Sequence, residues 1–129
     1  MSLLDGYVQK AGGYHYLVFR VVVGLLFFLH GWSKFSGGFA QGMMLWAAVI
    51  EVTVGTAVVL GLFTRLAGLL GAVEMAVAFV VGHALVKGWN PMNNGGELAV
   101  LFFLCFLVVM QKGNRMWSLE QAVLKKEVF

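Results

Sequence analysis

Long runs of apolar residues alternate along the chain with short polar or glycine-rich turns, and there are four such runs. A helix needs about 20 mostly apolar residues to cross about 30 Å of hydrocarbon. We therefore expect four spans, at residues 14–31, 43–62, 66–86 and 97–111. The fourth run is the shortest. It can cross the membrane only if the helix also includes the residues just before Leu98, or if the helix tilts or the membrane is locally thinner. The pattern predicts an all-α integral membrane four-helix bundle with short loops.

The segments outside the runs are turn-like, and the longest of them is the breaker-rich loop over residues 88–96. After Gly113 the sequence predicts a short surface helix within residues 117–126. Ser118 can cap this helix, and Gln121 follows at the spacing of a capping box. Neither a linker nor a composition shift divides the chain, so we expect a single domain over residues 1–129.

Composition supports the membrane assignment. Of the 129 residues, 60% are hydrophobic and 12% are charged, and the mean hydropathy is +0.87. Soluble domains average about 45–50% apolar and about 25% charged residues, so an ordinary soluble globule is excluded. The net charge of +3 comes from scattered basic residues. Because nucleic-acid binding needs a clustered basic face, we expect no nucleic-acid partner. The lone Cys105 excludes an internal disulfide or dithiol pair.

Loop charges predict the orientation, since basic residues concentrate on the cytoplasmic side of a membrane. With four spans, both termini share one side. Basic residues expected on that side are Lys10, Arg65, Lys112, Arg115, Lys125 and Lys126, against Lys34 and Lys87 on the other. We therefore expect cytoplasmic N- and C-termini in a multi-pass protein. The first residues lack the features of a secretory signal, so the first run is expected to remain in the mature chain.

Three charged residues lie within the predicted spans. A charge at the centre of a membrane helix costs roughly 2.5–3.5 kcal/mol on insertion scales, so each needs a partner or an altered protonation state. We expect Arg20 and Glu74 to form a structural ion pair. Glu51 has fewer basic neighbours at its depth and is the candidate catalytic group, a proton-linked carboxylate. The alternative is that Glu51 only hydrogen-bonds a neighbouring helix.

Four further polar residues approach the outer rim of the predicted bundle. His30 and Lys34 are four residues apart and share a helix face, while His83 and Glu97 lie near the ends of the third and fourth spans. A carboxylate below such donors, between apolar walls, suits a small-molecule pocket, so these four are candidate ligand-binding residues. The alternative is ordinary interfacial hydrogen bonding.

Cofactor motifs are missing from the sequence. It contains no HExxH, no Walker loop and no GxGxxG after a strand. The two rim histidines lie on separate spans, so we expect no metal site, and the pattern argues against haem. Nothing in the sequence requires a cofactor, although a quinone is compatible with a carboxylate at mid-depth.

Three segments resemble the DoxX family. The first, R-x3-G-x2-F-x2-H-G-x2-K, begins at Arg20 and ends at Lys34. The second, E…G…LGL-x-TR-x-A, begins at Glu51, and the third is the closing G-x4-SLE that begins at Gly113. The sequence departs from the family at Asn114-Arg115, where a second glycine is usual, and at Glu120, where Asp is usual. Glu74 is also less typical of the family.

The resemblance implies a small four-helix protein of the bacterial-type inner membrane, in a family described as oxidoreductases. Some relatives resemble subunits of a thiosulfate:quinone oxidoreductase, and others are associated with superoxide dismutase and a sulfurtransferase. We expect a redox-linked membrane subunit that binds a quinone-like small molecule or anchors a soluble oxidoreductase. The alternatives are a non-catalytic scaffold or assembly subunit and a small-solute or proton pathway. Expected partners are membrane lipid and other subunits or further copies of the chain; whether it is an enzyme stays open.

Overall fold

The computed structural model describes residues 2–38 and 40–127, and its regular structure in that part of the chain is helical throughout. Four long helices and two short ones follow one another. They are α1 (Leu3–Ser36), α2 (Met43–Leu60), α3 (Thr64–Lys87), α4 (Pro91–Asn94), α5 (Glu97–Lys112) and α6 (Leu119–Leu124). The all-α prediction is confirmed.

Helices α1, α2 and α3 are long and apolar enough to cross a membrane, judged by length and composition. Helix α5 has 16 residues, which at 1.5 Å per residue is about 24 Å, short of about 30 Å of hydrocarbon. Three spans are therefore supported by the structure, and the fourth stays a prediction.

Helix α1 begins eleven residues before the predicted start at residue 14, because a capping box starts it at Leu3. The Ser2 side chain accepts a hydrogen bond from the Asp5 backbone, and the Asp5 carboxylate accepts one from the Ser2 backbone at 2.7 Å. Its 34 residues extend for about 51 Å, well beyond the thickness of the hydrocarbon.

Helix α1 packs along α2, α3 packs along α5, and the two pairs join mainly through α2 and α3. Glycine sets the α1–α2 distance: a Cβ atom on Gly55 would lie 2.7 Å from the carbonyl oxygen of Gly24. Gly68 does the same between α3 and α5, where a Cβ would lie 2.7 Å from the backbone nitrogen of Met110. Small residues thus allow close backbone approach, as expected where lipid removes the hydrophobic drive between helices.

The core between these helices is aromatic and branched aliphatic. Phe27 of α1 contacts Phe106 of α5 edge-on, with ring centroids 4.6 Å apart, and Val54 and Val58 of α2 complete this cluster. Many large apolar side chains elsewhere are exposed on the outer faces of the helices. Such a surface is far more apolar than monomeric soluble proteins present, as expected of a chain surrounded by lipid.

Residues 113–118, which we call the C-terminal cap, fold back over one end of the four long helices. Tyr16 donates its hydroxyl to the Gly113 carbonyl at 2.6 Å, and Ser118 donates to the Gly61 carbonyl at 2.8 Å. Ser118 also caps α6 by accepting from the Gln121 backbone at 3.2 Å, so the predicted cap and short helix are confirmed. The last residue of α1, the first residue of α2 and the loop 88–96 lie at the opposite end.

Candidate functional site

A cleft of about 740 Å³ lies at the end opposite the C-terminal cap, with walls from α1, α2, α3 and α5. Most of its lining is apolar, including Phe27, Ala99 and Phe102. The ionisable residues that line it are His30, Lys34, Glu51, Glu74 and His83. The structure therefore brings together five of the seven residues singled out in the sequence.

Lys34 and Glu51 form an ion pair across the α1–α2 contact, with Nζ 2.5 Å from Oε2. Gly31 makes this possible because a Cβ there would lie only 2.8 Å from the Glu51 Cβ, so any larger residue would push α2 away. The Glu51 side chain is 5% exposed and that of Lys34 is 20% exposed. The sequence indicated fewer basic neighbours for Glu51 at its depth, and the structure nevertheless gives it a basic partner in Lys34.

Glu74 reaches the same cleft from α3. Both of its carboxyl oxygens are buried, and neither has a hydrogen-bond partner among the described residues. It interacts electrostatically with Glu51 and Lys34, so the two carboxyl groups and the ammonium group lie near one another. Glu74 is thus the acidic residue of the cleft that no neighbouring donor satisfies.

His83 lies in a π-helical turn, Val80–Ala84, that interrupts the hydrogen bonding of α3. Turns of this kind are frequent at functional sites. Its Nδ1 is 3.1 Å from the Asn94 carbonyl oxygen. Because a carbonyl only accepts, we infer that Nδ1 carries the hydrogen, which leaves Nε2 as an acceptor in the neutral ring. Asn94 is itself fixed, since its amide donates to the Gly88 carbonyl at 2.8 Å.

His30 is the most exposed of the five ionisable residues, at the rim of the cleft. Its ring stands edge-on to Phe102, with centroids 5.7 Å apart. This contact joins α1 to α5 and places an imidazole beside an aromatic wall.

The cleft opens sideways between α2 and α3 as well as at its end. Most of the large apolar residues that both line it and are exposed come from these two helices: Met43, Met44, Trp46, Ile50, Leu70, Val73, Val77 and Val81. Leu98 of α5 is also exposed at the cleft. They belong to the outer apolar surface that lipid would contact. A molecule dissolved in the bilayer could therefore reach the cleft without crossing water.

Arg20 and Glu74 do not form the expected ion pair. Arg20 is 1% exposed, and its guanidinium donates to three backbone carbonyls of the C-terminal cap, those of Asn114, Met116 and Trp117. Glu74 lies in the cleft at the other end. The physical reason is geometric, because a forked guanidinium satisfies several carbonyls of an irregular segment at once.

Glu97 does not line the cleft. It is the first residue of α5 and lies in a neighbouring recess of about 380 Å³ with Pro91, Met92 and Leu101. Among the described residues, no group of three or more His, Cys, Asp or Glu side chains is placed to hold a metal ion.

Asn114 is the structural residue that the sequence reasoning missed. It is fully buried; its side chain accepts from Thr64 and donates to Glu120, and its backbone nitrogen donates to Glu127 at 3.0 Å. The sequence did mark this position, because Asn114 follows Gly113 at a point where the chain departs from the family pattern. Thr64 and Glu120 belong to the second and third motif segments, so this network explains why those segments carry polar residues.

The fold and the cleft define a helical membrane protein with an ionisable site between apolar walls. The sequence model of the DoxX family matches residues 15–84. An uncharacterized protein of Haemophilus influenzae is 37% identical over 131 aligned positions, which cover 92% of this chain and 98% of the relative. A Bacillus subtilis protein named "Putative oxidoreductase CatD" is 32% identical over 120 positions, covering 84% of this chain and 87% of the relative.

The chain therefore belongs to the DoxX family of membrane proteins. The family match includes His30, Lys34, Glu51, Glu74 and His83, so all the ionisable residues of the cleft lie within it. No solved structure shows a significant match to the chain.

Proposed function

We propose that this protein is a redox-linked membrane subunit whose cleft binds a quinone-like molecule from the bilayer. The observation that carries the proposal is the cleft itself, which is open to the lipid side between α2 and α3 and has ionisable groups inside. Small-molecule sites of about 300–1,000 Å³ combine apolar walls with a few placed polar groups. At about 740 Å³ the cleft falls in that range.

The distribution of groups fits the two parts of such a ligand. An apolar tail suits the exposed wall made by Leu70, Val73 and Val77, while a head group with carbonyl or hydroxyl oxygens needs donors and acceptors. Lys34, Glu74 and His83 supply both kinds within the same cleft. A bilayer-soluble molecule with a compact polar head is therefore the ligand class that the lining favours.

Electron transfer in this proposal involves a partner. The chain contains one cysteine and so offers no dithiol pair, and the name of the Bacillus subtilis relative refers to an oxidoreductase. We assign the electron carrier to a soluble or membrane oxidoreductase that the protein anchors. We place the protein in the bacterial inner membrane, with both termini in the cytoplasm. There it would associate with this oxidoreductase either as a single chain or together with further copies of itself.

The test is ligand retention by the purified protein. We expect its extracted lipids to be enriched in quinone relative to the surrounding membrane, and a short-chain ubiquinone to bind it saturably in nanodiscs. Ala78→Phe should abolish this binding because Ala78 lines the cleft. Ala76→Phe is the matched control, two residues away on the same helix and exposed outside the cleft.

The second candidate is a non-catalytic scaffold whose charges only fix the helices. The contacts of Arg20 favour the scaffold, because this buried charge donates its hydrogen bonds to carbonyls of the C-terminal cap and so stabilises the fold. A ligand-free protein that binds no quinone, with Ala78→Phe and Ala76→Phe behaving alike, would favour the scaffold. A proton or solute pathway through a polar column is less favoured, because buried Val23 and Phe27 separate Arg20 from His30 along α1.

A further inference from the structure

We infer that Glu74, rather than Glu51, is the group of the cleft that presents an exchangeable proton to a carbonyl oxygen of the bound ligand. The inference rests on the proposed function for the identity of the ligand. It reverses the two roles expected from the sequence, where Glu74 was structural and Glu51 proton-linked.

The contrast between the two carboxyl groups comes from their partners. Glu51 is held by Lys34 at 2.5 Å, so its charge is compensated and its oxygen is already engaged. Both oxygens of Glu74 are buried without a hydrogen-bond donor among the described residues. An ionised carboxylate is costly in apolar surroundings without such donors. The neutral acid is therefore the form that these surroundings favour.

A neutral carboxyl group is a hydrogen-bond donor, which a carboxylate is not. Glu74 lines the cleft while its carboxyl oxygens are buried at the cleft wall, so a rotation of the side chain would present its O–H to a ligand oxygen that accepts. This selects the ligand class: an uncharged, bilayer-soluble molecule with a carbonyl group. A ligand carboxylate or phosphate is disfavoured, because it would meet two acidic side chains and only one lysine.

The charged and titratable neighbours of Glu74 are few. From α1 come His30 and Lys34, from α2 comes Glu51, and from α3 itself comes His83. The residues with which α5 and its preceding turn line the cleft carry no charge: Gly95, Leu98, Ala99 and Phe102. Lys34 is engaged by Glu51. A loss of binding at alkaline pH is thus expected from the ionisation of Glu74.

Binding of a short-chain ubiquinone to the full-length protein in nanodiscs tests the inference. For the wild type we expect affinity to fall as the pH rises, because ionised Glu74 has no proton to donate. Glu74→Gln keeps an N–H donor and should bind with an affinity independent of pH over that range. Glu74→Met keeps the length but no donor, and should bind about 2- to 12-fold more weakly, the usual net worth of one hydrogen bond.

Two further variants separate Glu74 from its neighbours. The double variant Lys34→Met/Glu51→Gln and the single variant Glu97→Gln should both retain the pH dependence. The first removes the ion pair as a unit and so leaves no unpaired ammonium group beside Glu74, and the second changes a residue outside the cleft. If the pH dependence survives in Glu74→Gln and disappears in Lys34→Met/Glu51→Gln, the inference is overturned.

An infrared measurement needs no ligand, and it keeps failure of this inference distinct from failure of the proposed function. The carbonyl stretch of a protonated carboxyl group should be present in the wild type and in Lys34→Met/Glu51→Gln, and absent in Glu74→Gln. If quinone does not bind while this band behaves as expected, the proposed ligand is rejected and the assignment of the proton to Glu74 stands. A band that vanishes in Lys34→Met/Glu51→Gln and persists in Glu74→Gln would reject the assignment of the proton.

Discussion

Replacing Arg20 with Met should release the C-terminal cap and strongly destabilise the protein. The variant removes three hydrogen bonds from a charged donor to the carbonyls of Asn114, Met116 and Trp117. Such bonds contribute about 1.5–3 kcal/mol each, so their sum is roughly 4–9 kcal/mol if none is replaced. Carbonyls at the end of the bundle can gain water after release, so we expect a loss of about 4–6 kcal/mol.

Thermal unfolding in detergent and limited trypsin digestion measure this loss. Release of the C-terminal cap should speed cleavage after Arg115, which is exposed within it. Arg65→Met is the comparison variant: Arg65 also donates to two carbonyls, those of Met110 and Gln111, and its Nε pairs with Glu127 at 3.2 Å, but its side chain is 46% exposed. Its loss should therefore cost about 1 kcal/mol, as for an exposed ion pair.

A combination of substitutions distinguishes the observed contacts from the ion pair expected from the sequence. If Arg20 were neutralised by Glu74, Glu74→Gln would restore part of the stability lost in Arg20→Met. The structure predicts no such rescue, because the two residues lie at opposite ends. Rescue by Glu74→Gln, or an Arg20→Met protein that unfolds and resists trypsin like the wild type, would refute the reasoning.

Three more predictions concern the helices and their orientation. Gly55→Leu should force α1 and α2 apart and lower the unfolding temperature, because even its Cβ would lie 2.6 Å from the Phe28 backbone nitrogen; a variant that melts like the wild type would contradict this packing. Lys34→Met should destabilise the protein by leaving Glu51 buried without its cation, and adding Glu51→Gln should restore part of the loss; a double variant no more stable than Lys34→Met would refute the pairing. In a cysteine-free background in intact cells, an impermeant thiol reagent should label a cysteine placed beside Lys87 and spare one beside Lys10; the reverse pattern would overturn the orientation.

The helices were predictable because their signal is local. The runs at 43–62 and 66–86 correspond to α2 and α3 within two residues at each end, since apolar runs and glycine turns determine both boundaries. The start of α1 was missed because residues before Tyr14 are too polar to be read as a membrane span. Its signal was the capping box at Ser2, which acts independently of hydropathy.

The partners of the charged residues were not predictable in the same way. The terminal nitrogens of Arg20 donate to carbonyls 94 to 97 residues away, and a backbone carbonyl has no signature in the sequence. The Lys34–Glu51 pair depends on the register that Gly31 allows between α1 and α2. Depth arguments placed His30, Lys34 and His83 at one end with Glu51 below them. They assigned Glu74 to Arg20, and they could not determine which carboxylate the lysine would neutralise.

The contacts of Arg20 have a consequence for the order of synthesis. Arg20 enters the membrane with the first helix, whereas the carbonyls that accept its hydrogen bonds belong to residues made 94 or more positions later. During that interval its charge lacks those acceptors, at a cost below the roughly 2.5–3.5 kcal/mol of a charge at the centre of a membrane helix. Helix α1 therefore reaches its final environment only after the ribosome has completed α5 and the C-terminal cap. A nascent chain stopped before Asn114 would hold all its long helices and yet lack every carbonyl to which Arg20 donates.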